Sequence, residues 1–73
     1  MHSVKEKVSK ILRRFSGSQI QHILMDVSKD FCTIKIDTSQ SQVAKLCVES
    51  LGIKCAVSTL QEKEKSILVV DLS

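Results

Sequence analysis

The residues best suited to metal or nucleophilic chemistry are three cysteines and two histidines. They are Cys32, Cys47, Cys55, His2 and His22. A zinc site takes about four ligands at short spacings, whereas these histidines are not near the cysteines in the sequence. The odd number of cysteines at irregular spacing does not suggest a disulfide framework either. Because each cysteine lies in an apolar segment, we expect small buried residues and no metal site.

Acid–base and cofactor chemistry also lack a pattern that would support them. A catalytic nucleophile needs a base and an orienting group that converge on it, and His22 falls on the solvent side of its segment. Aspartate is favoured at turns and helix caps for backbone reasons, and such positions hold Asp26, Asp30 and Asp37. Gly17 and Gly52 are predicted helix stops, so no Gly-rich phosphate loop remains. We therefore predict no enzyme activity and no cofactor.

Basic side chains are the more informative group. Eleven bases and eight acids give a net charge of +3, well below that of a dedicated nucleic-acid-binding domain. The first predicted helix nevertheless concentrates positive charge. The candidate nucleic-acid-binding residues are Lys7, Lys10, Arg13, Arg14, Lys45 and Lys54. The alternative is a solvated helix face whose basic residues suit the negative end of the helix dipole.

Any nucleic-acid contact by these bases would be made through phosphates. Neutralising phosphates releases counterions, so binding would weaken as salt rises. Phe15 and Phe31 are the only aromatic residues, which leaves little base stacking, the usual grip on single strands. Such binding would be weakly sequence-specific. A basic amphipathic helix also suits an anionic membrane surface, but here a helix that covers a sheet is the simpler interpretation.

Length and composition limit the chain to one domain, at 1–73, which we expect to be part of a larger protein. A chain of this size buries only about 60% of its unfolded surface, which predicts marginal stability. No apolar run approaches the length of about 20 residues that spans a membrane, and no signal peptide is visible. Together with the free thiols, these features predict an intracellular protein, cytoplasmic or nuclear.

The first predicted element is a helix over 3–16. Ser3 and Glu6 form a capping-box pattern at its start, and Gly17 is a natural stop. Apolar residues recur at helical spacing. The stripe consists of Val4, Val8, Ile11, Leu12 and Phe15.

The segment 18–29 fits two structures. As a helix it would present a narrow apolar stripe of five positions after a Ser18–Gln21 cap. As a strand it would turn Ile23, Met25 and Val27 to one face before a hairpin turn. The count of positions slightly favours the helix, and the strand remains open.

The sequence pattern in the middle of the chain predicts a strand followed by a helix. Residues 31–37 alternate apolar and polar, which indicates one buried and one solvated face. Ser39 and Gln42 suggest a cap for a helix over 40–51. Its apolar residues cover more than half of the circumference, so we expect it to be the most buried helix.

The last third predicts a hairpin. Residues 53–60 form a strand of mixed register, 61–65 a polar turn, and the nearly continuous apolar run 67–72 a strand inside the sheet. The predicted fold class is α+β, a small antiparallel sheet covered by two or three helices. The predicted order is α-(α or β)-β-α-β-β.

The second half of the chain resembles a known family. It reads T-S-Q-S-Q-V-A-K-L at 38–46, V-E-S-L-G-I at 48–53 and I-L-V-V at 67–70. Over 31–72 this is similar to the single-strand-binding domain family named for its Arg-x-x-x-His signature. The resemblance implies a strand, a helix and a hairpin, and binding of single-stranded nucleic acid. Counting back from Gly52, Ser41 and Lys45 stand where the family has arginine and histidine, so the signature itself is absent.

Two functions follow as hypotheses. The first is a non-catalytic protein-interaction or self-association module, because aliphatic residues are abundant for so small a chain and sheet edges offer unpaired backbone groups. The second is a module that binds single-stranded RNA or DNA through the basic helix. A contiguous basic face would favour nucleic acid, and an apolar patch rimmed by charge would favour protein.

Overall fold

The computed structural model describes residues 3–60 and 64–73, and this part of the chain forms two helices and one four-stranded sheet. The elements are α1 (Val4–Gly17), β1 (Leu24–Val27), β2 (Phe31–Asp37), α2 (Thr38–Glu49), β3 (Cys55–Thr59) and β4 (Lys65–Asp71). The strands lie in the order β1-β2-β4-β3, and every neighbouring pair is antiparallel. The α+β class and the order α-β-β-α-β-β are confirmed. The polar turn predicted at 61–65 includes 61–63, which lie outside the described residues.

The β2–β4 pair forms the centre of the sheet. Cys32 stands opposite Val70 and Ile34 opposite Leu68, and all four side chains are fully buried. Their neighbours along each strand point to the other face, because successive side chains of a strand alternate. Both helices contribute to the core on the Cys32 side. The prediction that the last strand lies inside the sheet is confirmed.

Helix α1 begins as its capping pattern predicts. The Ser3 hydroxyl accepts a hydrogen bond from the Glu6 backbone N–H at 3.1 Å. Ile11 and Phe15 are buried in the core, whereas Leu12 on the same stripe is 44% exposed. The helix therefore anchors itself through its C-terminal half.

The helix slightly favoured for 18–29 is wrong. Gln19 and His22 have φ values of 59° and 60°, and a right-handed helix of L-residues does not tolerate this conformation. After Gln19 the chain turns back, and the side chain of Ile20 is buried in the core. The strand alternative is correct, because Met25 pairs with Ile34 and so extends the period-two face of β2.

Helix α2 begins earlier than predicted, and one flank of it is buried. Its N-cap is Asp37, not Ser39, and no side-chain hydrogen bond caps it. Buried positions are Ser41, Ala44 and Val48, while Leu46 is 65% exposed. The expectation that α2 is the more buried helix is confirmed for the two described helices, since three of its residues are buried against two in α1. Its exposed Leu46 shows that the cover is confined to one flank.

Polar groups inside the α2–sheet contact are paired. Ser41 donates through its hydroxyl to the Thr38 backbone oxygen at 2.8 Å, and the Thr38 and Ser66 hydroxyls lie 2.8 Å apart. Among the described residues, every buried side-chain nitrogen or oxygen has a hydrogen-bond partner. These pairs offset the cost of burying hydroxyls.

The two faces of β4 give a matched test of this architecture. We expect Val70→Thr to lower the free energy of unfolding by about 1–3 kcal/mol, because it buries a hydroxyl in an apolar core. The same change at the neighbouring Val69, which is 40% exposed on the other face, should stay within about 0.5 kcal/mol of the parent. Urea unfolding monitored by circular dichroism measures both. Equal losses would contradict the assignment of the covered face.

A second test concerns the ion pair between β2 and β4. The Lys65 ammonium lies 2.6 Å from the Asp37 carboxylate, and this hydrogen bond and charge lower the pKa of Asp37. A carboxyl whose pKa is lowered by folding adds stability above its unfolded pKa, and that stability is lost as the pH falls through the folded pKa. Asp37→Asn should therefore be slightly less stable than the parent at pH 7 and equal to it at about pH 2. Unfolding curves at both pH values test this, and a difference that persists in acid would contradict it.

Candidate interaction surfaces

Most of the predicted basic residues meet in one place, which we call the basic groove. Lys7, Lys10 and Lys54 line a cavity of about 460 Å³ at the end of α2 and β4. A second cavity of about 260 Å³ continues it past Lys10 to Arg13 and Arg14. Lys10 and Leu51 line both cavities, so α1 and the segment after α2 form one continuous concave surface.

Charges inside the basic groove are partly compensated. The Lys7 ammonium donates to the backbone oxygens of Leu72 at 3.1 Å and Ser73 at 2.8 Å. Hydrogen bonds from Ser73 lower the pKa of Asp71, and the charges of Lys54 and Lys7 lower it further. Asp71 is therefore ionised at neutral pH, and it offsets one of the lysine charges. Positive charge still dominates the groove.

The sixth predicted base lies elsewhere. Lys45 is half-buried on α2, and it is close enough to Cys55 for its charge to act on that thiol. It lines neither cavity of the basic groove. The structure thus brings together five of the six bases and separates Lys45 from them.

Ser41 also bears on the family resemblance. This residue stands at the position of the signature arginine, and here it is buried and bonded to Thr38. The helix face that carries it packs on the sheet. A side chain at this position therefore cannot reach a phosphate group. A nucleic-acid-binding surface of this chain would lie elsewhere.

One face of the sheet is covered by neither of the two described helices, and we call it the open sheet face. Leu24, Phe31 and Val69 expose 70%, 43% and 40% of their surface there. Thr33 and Lys35 lie between them on β2. This mixed face can stay solvated, because antiparallel sheets commonly expose one side to water.

A more apolar surface lies between α1 and the sheet edge, and we call it the edge groove. It has a volume of about 460 Å³ and is lined by Val4, Lys5, Val8, Ser9, Leu12 and Val27. Val27 pairs with the fully buried Cys32 on the helix-covered face, yet Val27 is 45% exposed. The exposure arises because β1 is an edge strand with a neighbour on one side only within the described sheet.

Sequence patterns alone did not locate the edge groove. Leu12 belongs to the apolar stripe of α1 and was expected to be covered. The alternation at Met25 and Val27 was visible, but it could not show that β1 lies at the edge.

The cysteines are free, and two of them are only half-buried. Cys32 is buried in the core, whereas Cys47 and Cys55 are partly covered. Burial raises the pKa of Cys32. Burial, with the charge of Glu49, raises the pKa of Cys55 to about 11. Both thiols are therefore protonated at neutral pH, and thiols are poor nucleophiles in that form.

Two classes of site have no counterpart in the described part of the chain. No group of three or more histidine, cysteine, aspartate or glutamate side chains there could hold a metal ion. Of the described helices, none combines the length and apolarity needed to cross a membrane. The basic groove, the open sheet face and the edge groove are the candidate surfaces for function.

Comparison with known proteins supplies no relative from which a role could be transferred. No protein-family model matches the chain, and no curated protein matches it. The resemblance of 31–72 to the Arg-x-x-x-His family therefore stays a prediction.

Proposed function

We propose that this chain is a non-catalytic protein-interaction or self-association module that docks through the edge groove and the free edge of β1. The exposure of Val27 carries the proposal. Its strand partner Cys32 is fully buried, and the helix above it presents further apolar side chains, yet nothing in the described chain fills the space between.

Exposed apolar side chains and an unpaired strand edge lie next to each other at this surface. Burial of apolar surface is favourable by about 25 cal/mol per Å², so covering Val27 and Leu12 would add binding free energy. Beside them, the outer edge of β1 offers backbone donors and acceptors that another strand could pair. An apolar groove next to an open strand edge is typical of surfaces that accept an added strand.

The direct test is the mass of the protein in solution as a function of concentration. Light scattering should show association that strengthens from micromolar to millimolar protein. Leu12→Lys should raise the dissociation constant about tenfold or more, because a charge replaces an apolar contact worth about 1.4 kcal/mol or more.

Leu46→Lys is the matched control. It makes the same substitution at a helix position that is 65% exposed and outside the edge groove, so association should be unchanged. Circular dichroism verifies that both variants fold. A parent protein that stays monomeric at all concentrations overturns self-association. If only Leu46→Lys weakened association, the interface would lie on α2 instead.

Binding of single-stranded nucleic acid is the second candidate, and the basic groove favours it. Five bases converge there from α1 and the segment after α2. Phosphates would bind along the groove, and the sequence of bases would matter little.

A salt series tests this second candidate. Titration of labelled single-stranded RNA and DNA should show binding that weakens as salt rises. Lys10→Gln should reduce the slope of log affinity against log salt by about 1, the effect of one lost phosphate contact. Lys45→Gln removes the same charge outside the groove and should leave the slope unchanged. Absence of binding at low salt, or equal effects of the two variants, would reject the basic groove as the binding surface.

A further inference from the structure

We infer that two copies of this chain pair through their β1 strands, antiparallel and about a twofold axis at Met25, to form one continuous eight-stranded sheet. This inference rests on the proposed function, because it specifies the partner and the register of the edge groove. The partner is a second copy of the same chain.

The hairpin between β1 and β2 fixes which backbone groups face outward. The Ser28 N–H donates to the Phe31 backbone oxygen at 2.8 Å, so this pair is hydrogen-bonded. Such pairs alternate along an antiparallel ladder. Asp26 and Leu24 therefore bond to β2 through their pairs with Thr33 and Lys35. The N–H and C=O groups of Met25 point to the free edge, as do those of Val27.

Twofold symmetry restricts the register. Paired residues must lie on the same sheet face, because side chains alternate along each strand. The axis can therefore pass through Met25 or through Asp26 within this short strand. With the axis at Asp26, the two Asp26 carboxylates would stand directly opposite each other in a close, non-hydrogen-bonded pair. Like charges in that position are destabilising.

With the axis at Met25, the two Asp26 carboxylates no longer stand directly opposite each other. The outward N–H and C=O groups of Met25 and Val27 then all form hydrogen bonds with the second copy. Met25 pairs with Met25 of the second copy, and Val27 pairs with Ile23 of the second copy. These pairs lie on the helix-covered face, so they extend the apolar core across the axis. On the open sheet face, Leu24 stands opposite Asp26 of the second copy.

The helices support the same arrangement. An axis perpendicular to the sheet places the two α1 helices side by side and antiparallel above the joined strands. Each Val27 then gains Ile23 of the second copy as its strand neighbour on the helix-covered face, which covers part of its edge groove. The only charge on β1 is Asp26, and the chain contains no proline, so the usual devices that block edge pairing are weak here.

Cysteine cross-linking distinguishes the registers. In a Cys47→Ala background, Met25→Cys should form a covalent dimer under mild oxidation, because residues in a hydrogen-bonded pair have Cα atoms about 5.5 Å apart, within disulfide range. Asp26→Cys is the matched control and should stay monomeric, since its two copies would lie about 7–8 Å apart on the diagonal. Of the two remaining native thiols, Cys32 is buried and Cys55 is half-buried, and the raised pKa of each keeps it a slow reactant.

Hydrogen exchange on the unmodified chain gives a second readout. The amide protons of Met25 and Val27 should exchange more slowly as the protein concentration rises, while that of Asp26 should already be protected within the monomer sheet. Concentration-dependent protection together with the Met25→Cys dimer supports the inference. A covalent dimer of Asp26→Cys alone overturns the register. Association by light scattering without edge protection overturns the strand pairing but leaves self-association standing, and a strict monomer overturns both the strand pairing and self-association.

Discussion

The pairing of β2 with β4 is the contact on which the rest of the structure depends. The two strands are joined over seven register pairs, and their inward side chains are the centre of the core. In the described sheet, β3 pairs with β4 alone. Strand β3 therefore joins the sheet only through β4, which in turn pairs with the distant strand β2. Pairing of this kind between distant segments closes long loops and slows folding.

A core built on one side of this sheet leaves two surfaces uncovered. The helices pack over the central strands, so the open sheet face stays exposed, and the edge strand β1 is covered only in part. A chain this short cannot bury all of its aliphatic side chains, because the ratio of surface to volume is high. Among the apolar residues that remain exposed, Leu12 and Val27 meet at the edge groove, whereas Leu46 and Val69 lie on other surfaces.

Helix α1 has two flanks that differ in chemistry. One flank carries Lys7, Lys10 and Arg14 into the basic groove, and the other carries Val8 and Leu12 into the edge groove. The helix therefore separates a surface suited to phosphates from a surface suited to an apolar partner. Pairing of two copies at β1 would leave both basic grooves open, so the two proposed activities are compatible within one assembly.

Local patterns determined much of this protein: the α+β class, the capped start of α1, the strand at 31–37 and the concentration of bases on the first helix. These depend on side-chain periodicity and capping, which act over a few residues. Only the tertiary structure decided that 24–27 is a strand, that β1 lies at the edge, and that Lys54 joins the α1 bases while Lys45 does not. The physical reason is that strand pairing and the packing of α1 against α2 join residues far apart in sequence, and such contacts override weak local preferences.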